Sequence, residues 1–258
     1  MRLRGAVVAI TGASSGIGEA TAQAFARERS KLQIGARRLE RLNAVAAACR
    51  QAGSPEVRVF LVDVGQRVQA KAFIAAALRD FERVDVLINN AGVGWIGRTH
   101  EMPDEKLDEL VATNITGVIN TTRAVLPWML ERRRGVIINV ASVTGFRASP
   151  YSAVYSATKH AVVGFSHALR GELSGTGVKV CVVYPGVTSG TEFHEDTRQA
   201  MGPQYSASWI ADLIVRTARW PRRDAVVFPL RAAHLAEPVF GGLMDHALGE
   251  LRRRRLGD

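Results

Sequence analysis

Tyr155 and Lys159 lie four residues apart in a stretch of helical composition. That spacing puts both side chains on one helical face. A phenol with a pKa near 10 is a poor proton donor or acceptor at neutral pH. A neighbouring ammonium favours the phenolate and lowers that pKa. Each unit of lowering is worth about 1.4 kcal/mol. Such a pair is suited to moving a proton to or from an oxygen. Taken alone it also describes a half-buried tyrosine beside a solvated lysine. Ser142 adds weight, because it falls just beyond an apolar run, Gly135 to Val140. Open α/β sheets bind ligands beyond the carboxyl ends of their strands. A serine there also suits an ordinary turn or cap.

The elements that must position these groups are legible as alternating runs. Strands are expected at Ala6–Ile10, Leu32–Gly35, Val57–Val62, Val84–Ile88, Gly135–Val140, Val178–Val183 and Ala225–Phe228. Helices are expected at Gly16–Arg29, Arg38–Gln51, Gln66–Phe81, Tyr151–Leu173 and, as one long region, Asp104 to about Arg132. The strand runs are short, β-branched and nearly continuous, which fits strands covered on both faces. Strands alternating with helices imply βαβ units. The expectation is an α/β fold: a single-domain, doubly wound parallel sheet of about seven strands with helices on both faces. Residues 188–206 carry few signals and read as a loop. The first run ends in Thr11-Gly12-Ala13-Ser14-Ser15-Gly16-Ile17-Gly18. Glycines between a strand and a helix permit a sharp turn and close approach to a pyrophosphate. The helix start adds unpaired N–H groups and a positive dipole end. The reading is dinucleotide binding.

Thr-Gly-x-x-x-Gly-x-Gly resembles the cofactor signature of the short-chain dehydrogenase/reductase family. The resemblance continues, in order and at the usual spacings, through Asp63, Asn89-Asn90-Ala91-Gly92, Asn114, Ser142, Tyr155-x-x-x-Lys159 and Pro185-Gly186. It implies a Rossmann-type domain spanning 1–258, with a cofactor half 1–135, a catalytic and substrate half 136–230 and a C-terminal extension 231–258. It also implies hydride transfer between nicotinamide and a carbonyl or alcohol carbon. Tyr155 would serve as general acid/base and Ser142 would polarise the substrate oxygen. Lys159 would tune Tyr155 and bind the nicotinamide ribose. Asn114 would hold a relay water. Cofactor contacts are expected from Gly12, Ser14, Gly16, Ile17, Gly18, Asp63, Val64, Asn90, Ala91, Tyr155, Lys159, Pro185 and Thr188. Asp63 resembles an adenine-contacting acid; a helix cap is its plainer role.

A Rossmann site often places an acid about 20 residues past the glycines to hold the ribose hydroxyl. Here the second strand ends in Ala36-Arg37-Arg38, and no Asp or Glu occurs between Glu28 and Glu40. Two guanidiniums pair well with a 2′-phosphate. NADP(H) is therefore expected over NAD(H). The segment Pro185-Gly186-Val187-Thr188-Ser189-Gly190-Thr191-Glu192-Phe193 runs one residue longer than the resemblance implies. That leaves Thr188, with Thr191 as the alternative, for the carboxamide contact. Trp95, Val143, Thr144, Phe193, His194 and Met201 are candidate substrate contacts and point to an apolar ligand body.

The remaining expectations come from composition. The 258 residues carry a net charge of +10 and are 47% hydrophobic. The basic residues are dispersed without interleaved aromatics, against a nucleic-acid module. The Arg-rich C-terminus is compatible with peripheral membrane contact, but packing on the domain or on a second subunit is preferred. Cys49 and Cys181 are far apart, against a disulfide scaffold and for the cytoplasm. No histidine shows metal-ligand spacing, so no metal is expected. By resemblance the chain forms a homodimer or homotetramer through the helices beginning near Asp104 and Tyr151. The competing readings are a catalytically silent NADP(H)-sensing regulator and a basic surface-binding protein.

Overall fold

Strands buried on both faces need apolar residues at every position, and five-residue β1 (Val7–Thr11) and six-residue β5 (Gly135–Val140) are buried throughout. The computed structural model describes residues 1–189, 204–226 and 248–251. Its main sheet has seven strands in the order β3-β2-β1-β4-β5-β6-β9. These are β2 (Lys31–Ala36), β3 (Val57–Leu61), β4 (Val86–Asn89), β6 (Val178–Tyr184) and β9 (Asp224–Val226) around β1 and β5. All six pairings are parallel. The fold is the single α/β domain expected.

Helices α1 (Gly16–Arg27), α2 (Leu39–Gln51) and α7 (Ala207–Arg219) cover one face; α3 (Arg67–Phe81), α5 (Gly117–Glu131) and α6 (Ala153–Glu172) cover the other. The alternation along β1 shows how both faces are served. Val8 and Ile10 join Phe25, Leu42 and Ile214 on the first side, and Ala9 joins Phe73, Val125 and Met129 on the second. Each large side chain so buried contributes about 1.5–3 kcal/mol.

Strand order reverses between β1 and β4, since the chain builds outward to β3 and then returns. The crevice beyond the carboxyl ends at such a reversal is where open α/β sheets bind ligands. The register brings Thr11 beside Gly35, and Asn89 beside Asn139, at that end. A buried network fixes those strand ends. Asn89 Nδ2 donates to Thr122 Oγ1 (3.0 Å) and Asn139 Oδ1 (2.8 Å), and Asn139 Nδ2 donates to Ser166 Oγ (2.8 Å).

Three expectations change. The long helical region is α4 (Asp104–Val111), a π-helical turn (Ala112–Thr116) and α5. Single π turns inside helices recur at functional sites, and this one holds Asn114. The weak region contains β7 (Val187–Ser189) and β8 (Gln204–Ser206), which pair in parallel as a separate two-stranded sheet. The final strand begins at Asp224, one residue before expectation. Its expected end at Phe228 lies outside the described residues, as does most of the extension 231–258.

Candidate active site

The crevice is a cavity of about 800 Å³, within the range usual for small-molecule and cofactor sites. The glycine loop forms one end. Gly12 has φ +65, and a Cβ there would stand 2.6 Å from Ala91 Cα. Only glycine lets the β1 turn and the β4 turn touch. Asn90 clamps them from the other side, donating from Nδ2 to the carbonyls of Thr11 and Gly12, each at 3.1 Å. The backbone N–H groups of Asn90 and Ala91 both donate to Thr11 Oγ1 at 3.1 Å. Ser15 at the N-cap of α1 makes no side-chain cap, so the first turn retains N–H donors for an anion.

Gly12, Ser14, Gly16, Ile17, Arg37, Arg38, Asp63, Val64, Asn90, Ala91, Tyr155, Lys159, Pro185 and Thr188 all line the cavity. Gly18 does not. A Cβ on Gly18 would lie 2.1 Å from the Gly12 carbonyl oxygen and 2.5 Å from Asn90 Nδ2. Its place in the motif is to let α1 pack against the loop, a correction to its expected cofactor contact. Asp63 does not cap α3, whose N-cap is Gln66. Its Oδ1 instead accepts from Gly65 N–H at 2.9 Å, closing the turn after β3.

The two arginines part company. Arg38 Nη2 donates to Ser14 Oγ (3.2 Å) and Ser15 Oγ (2.8 Å), lying against the glycine loop. Arg37 Nη1 donates instead to Glu109 Oε1 on α4 at 2.8 Å. Nothing in the spacing signals that partner, 72 residues along the chain.

Ser142 is the N-cap of a short 3₁₀ turn, its Oγ accepting from Thr144 N–H at 3.2 Å. Val143 N–H donates to the Pro185 carbonyl at 3.0 Å, tying this turn to Pro185-Gly186. Thr188 is buried, its Oγ1 donating to the Gly186 carbonyl at 3.0 Å. Tyr155 is half-buried, with its exposed part in the cavity wall. Its phenol is hydrogen-bonded by the Ser142 side chain.

The electrostatics differ from expectation. Burial pushes the Tyr155 phenol up to about 12, opposed by the Ser142 hydrogen bond. Burial pushes the Lys159 ammonium down to about 8. The i, i+4 spacing does bring them together, with Lys159 Nζ 5.6 Å from the Tyr155 ring centroid. But Nζ donates to the Val140 carbonyl at the end of β5, 3.1 Å away. Desolvation therefore sets the direction at both groups.

Asn114 is fully buried and lies behind the cavity wall rather than in it. Its Oδ1 accepts from Val93 N–H (2.9 Å), and its Nδ2 donates to Val93 O (2.9 Å) and Thr158 Oγ1 (3.0 Å). It thus joins the strand-end loop to α6, three residues from Tyr155. A Cβ built on Gly92 would be 3.3 Å from Asn114 Oδ1 and 3.5 Å from Lys159 Nζ, so these two polar groups border the same small space.

Of the expected substrate contacts, Trp95, Val143 and Thr144 line the cavity. Phe193, His194 and Met201 lie outside the described residues, as does Thr191. The cavity also takes in Phe146, Arg147, Leu248, Lys106 and Glu109, none anticipated. Phe146 stacks on Tyr184 with centroids 3.8 Å apart, which fixes the loop between Ser142 and Tyr155. Among the described residues, no group of three or more His, Cys, Asp or Glu is placed to hold a metal. No helix of the described residues is long and apolar enough to cross a membrane.

The turn geometry and the cavity fit a dinucleotide, and comparison with known proteins agrees. A family profile described as short chain dehydrogenase matches residues 6–202. The chain belongs to that family and is an oxidoreductase. A putative ketoacyl reductase of a monensin polyketide synthase from Streptomyces virginiae is 40% identical over 217 residues, 83% of this chain and 82% of the relative. A short-chain dehydrogenase/reductase from Burkholderia phymatum, solved with NAD, superposes with a TM-score of 0.86. It is 27% identical, covering 95% of this chain and 96% of that one. A metagenomic short-chain oxidoreductase solved with NADP gives a TM-score of 0.78 and 31% identity, covering 88% and 98%.

Proposed function

We propose that this chain transfers a hydride between NADP(H) and a small-molecule carbonyl or alcohol, with Tyr155 as general acid/base. The observation that carries the reading is the convergence of Ser142, Tyr155 and Lys159 on the cavity into which the glycine loop opens. A bound nicotinamide supplies or accepts the hydride. In reduction Tyr155 donates its proton to the carbonyl oxygen, and in oxidation it takes the hydroxyl proton. Ser142 holds that oxygen through the hydroxyl that meets the phenol. Lys159 serves the ribose hydroxyls, and Asn114 keeps the loop at Val93 in register with α6. Residues 1–135 carry most of the cofactor site and 136–230 the catalytic and substrate side, from which Lys159, Pro185 and Thr188 also reach the cofactor. A homodimer or homotetramer through the helices beginning near Asp104 and Tyr151 is supported, on the first of them, by exposed Leu107, Val111 and Trp128. The two buried free thiols, Cys49 and Cys181, support a cytoplasmic site.

NADP(H) is supported by Arg38 over the glycine loop and by the absence of a carboxylate between Glu28 and Glu40. Replacing both guanidiniums, Arg37→Ala with Arg38→Ala, should weaken NADPH relative to NADH by about tenfold or more. Fluorescence titration of both coenzymes measures it, and an unchanged ratio refutes the assignment.

Trp95, Val143 and Phe146 favour a substrate with an apolar body, and the ketoacyl-reductase relative makes a 3-oxoacyl thioester a sensible inclusion. The test of the whole reading is NADPH and NADH oxidation over aldehydes, ketones, quinones and such a thioester. The alcohols are run with the oxidised coenzymes. Turnover with NADPH is the expected result. Tight coenzyme binding without turnover in either direction would favour the sensing role.

A further inference from the structure

The acid missing from the end of β2 is present in the cavity, delivered by another element. Glu109, on the last turn of α4, lines the cavity together with Arg37, Arg38, Ser14 and Lys106. Its Oε1 accepts from Arg37 Nη1 at 2.8 Å, and its Oε2 accepts from Lys106 Nζ at 2.6 Å. Arg37 follows directly on Ala36, the last residue of β2, and Gly35 in that strand receives the Ala13 N–H of the glycine loop at 3.2 Å. A carboxylate thus pairs with the guanidinium that directly follows β2.

We propose that Glu109 sets coenzyme selectivity by competing with the 2′-phosphate of NADP(H) for Arg37. The proposal rests on the dinucleotide reading of the cavity and deepens it. With NAD(H), Arg37 keeps its carboxylate partner and the bare ribose meets no unpaired guanidinium. With NADP(H), the phosphate must take Arg37 from Glu109, which is left with Lys106. Lys106 and Arg37 hold the Glu109 carboxyl below the usual range, Lys106 chiefly, with burial acting the other way. Glu109 is therefore charged throughout the neutral range, and the competition does not fade near pH 7. Arg38 donates to the two loop serines, Ser14 and Ser15. The arrangement narrows the gap between the two coenzymes that paired arginines would otherwise open.

The pair is partly solvated, with side-chain exposures of 54% for Arg37 and 28% for Glu109, so the effect is modest. Glu109→Gln keeps the volume and a hydrogen-bond acceptor for Arg37 but removes the charge. NADPH should bind about two- to fivefold tighter, and 2′,5′-ADP likewise, with NADH and 5′-AMP unchanged. In an Arg37→Ala background the same substitution should leave the NADPH-to-NADH ratio where it was. Calorimetric titration of all four ligands against the four proteins reads this without any substrate. A ratio unmoved by Glu109→Gln overturns the proposal. So does equal weakening of both coenzymes, which would mark a packing role, or a shift that persists without Arg37. The NADP(H) preference itself is read from the ratio of the unaltered protein, and the proposal from the change in that ratio. A protein that prefers NADH, yet moves toward NADPH on Glu109→Gln, would end the first and keep the second.

Discussion

Tyr155→Phe should lower turnover by about a hundred- to ten-thousandfold, the range for loss of a positioned proton donor. Coenzyme affinity should change by less than about threefold, because the ring and its packing remain. The substitution removes one oxygen, held by Ser142 at the cavity wall. Phenylalanine keeps the contact that places Lys159 Nζ 5.6 Å from the ring centroid. A companion result concerns pH. With the phenol pushed up to about 12, Tyr155 carries its proton across the neutral range. Reduction uses that protonated form, so its rate should show no loss traceable to Tyr155 between pH 6 and about 8. Oxidation uses the phenolate, so its rate should climb with pH over the same interval. A positive nicotinamide pulls the phenol downward and shifts the climb without reversing its sign. Steady-state rates in both directions, for both proteins, test the assignment. Turnover retained by Tyr155→Phe would remove Tyr155 from the chemistry.

The contrast between what the chain announces and what it conceals follows from distance along the sequence. The glycine turn is local. Its residues must satisfy a positive φ at Gly12 and the close packing at Gly18 within eight positions, so its pattern is readable without a structure. The same holds for Tyr155 and Lys159, whose spacing alone puts them on one face of α6. The strands of the parallel sheet are legible for a similar reason, since burial on both faces leaves an unbroken apolar run, as in Val136-Ile137-Ile138.

Charge was less legible than geometry. The spacing of Tyr155 and Lys159 says that they are neighbours, but not that Nζ turns to the Val140 carbonyl or that both groups are desolvated. Those facts depend on β5 and on the wall that α6 packs against. Glu109 is a sharper case. An acid five residues before Asn114 on a solvated helix has no sequence feature that ties it to Arg37. Only the fold does so, by bringing α4 within reach of the guanidinium that follows β2. The π turn is likewise hidden. An asparagine within a helical run signals a local reason for its presence, but not that Asn114 would lie behind the cavity, bonded to Val93 and Thr158.

Lys159→Met should leave the cofactor-free protein more stable at neutral pH while turnover falls at least about a hundredfold. Lys159 is only 5% exposed, and burial holds its ammonium at about 8 against an ordinary value of 10.5. Below pH 8 both the folded and the unfolded chain carry the proton, and the folded state bears the whole cost of a desolvated charge. Between about 8 and 10.5 the unfolded chain holds more protons, so stability rises with pH across that window. The cost relieved is on the order of 3 kcal/mol. Methionine fills most of the same volume without the charge. It also deprives the Val140 carbonyl of a donor, a loss of about 1 kcal/mol. The net gain expected at pH 7 is then about 1–2 kcal/mol, shrinking toward zero or below as pH approaches 10. Measurements stop there because Tyr155, with its folded pKa raised, lowers stability between about 10 and 12. Urea denaturation of both proteins at pH 7 and pH 10 decides it. A stability difference equal at the two pH values would mean that packing, and not the buried charge, is the cause. A lysine that destabilises its own fold at working pH, and whose removal silenced the enzyme, would be one kept for the charge that the proposed mechanism uses at the ribose and the phenol.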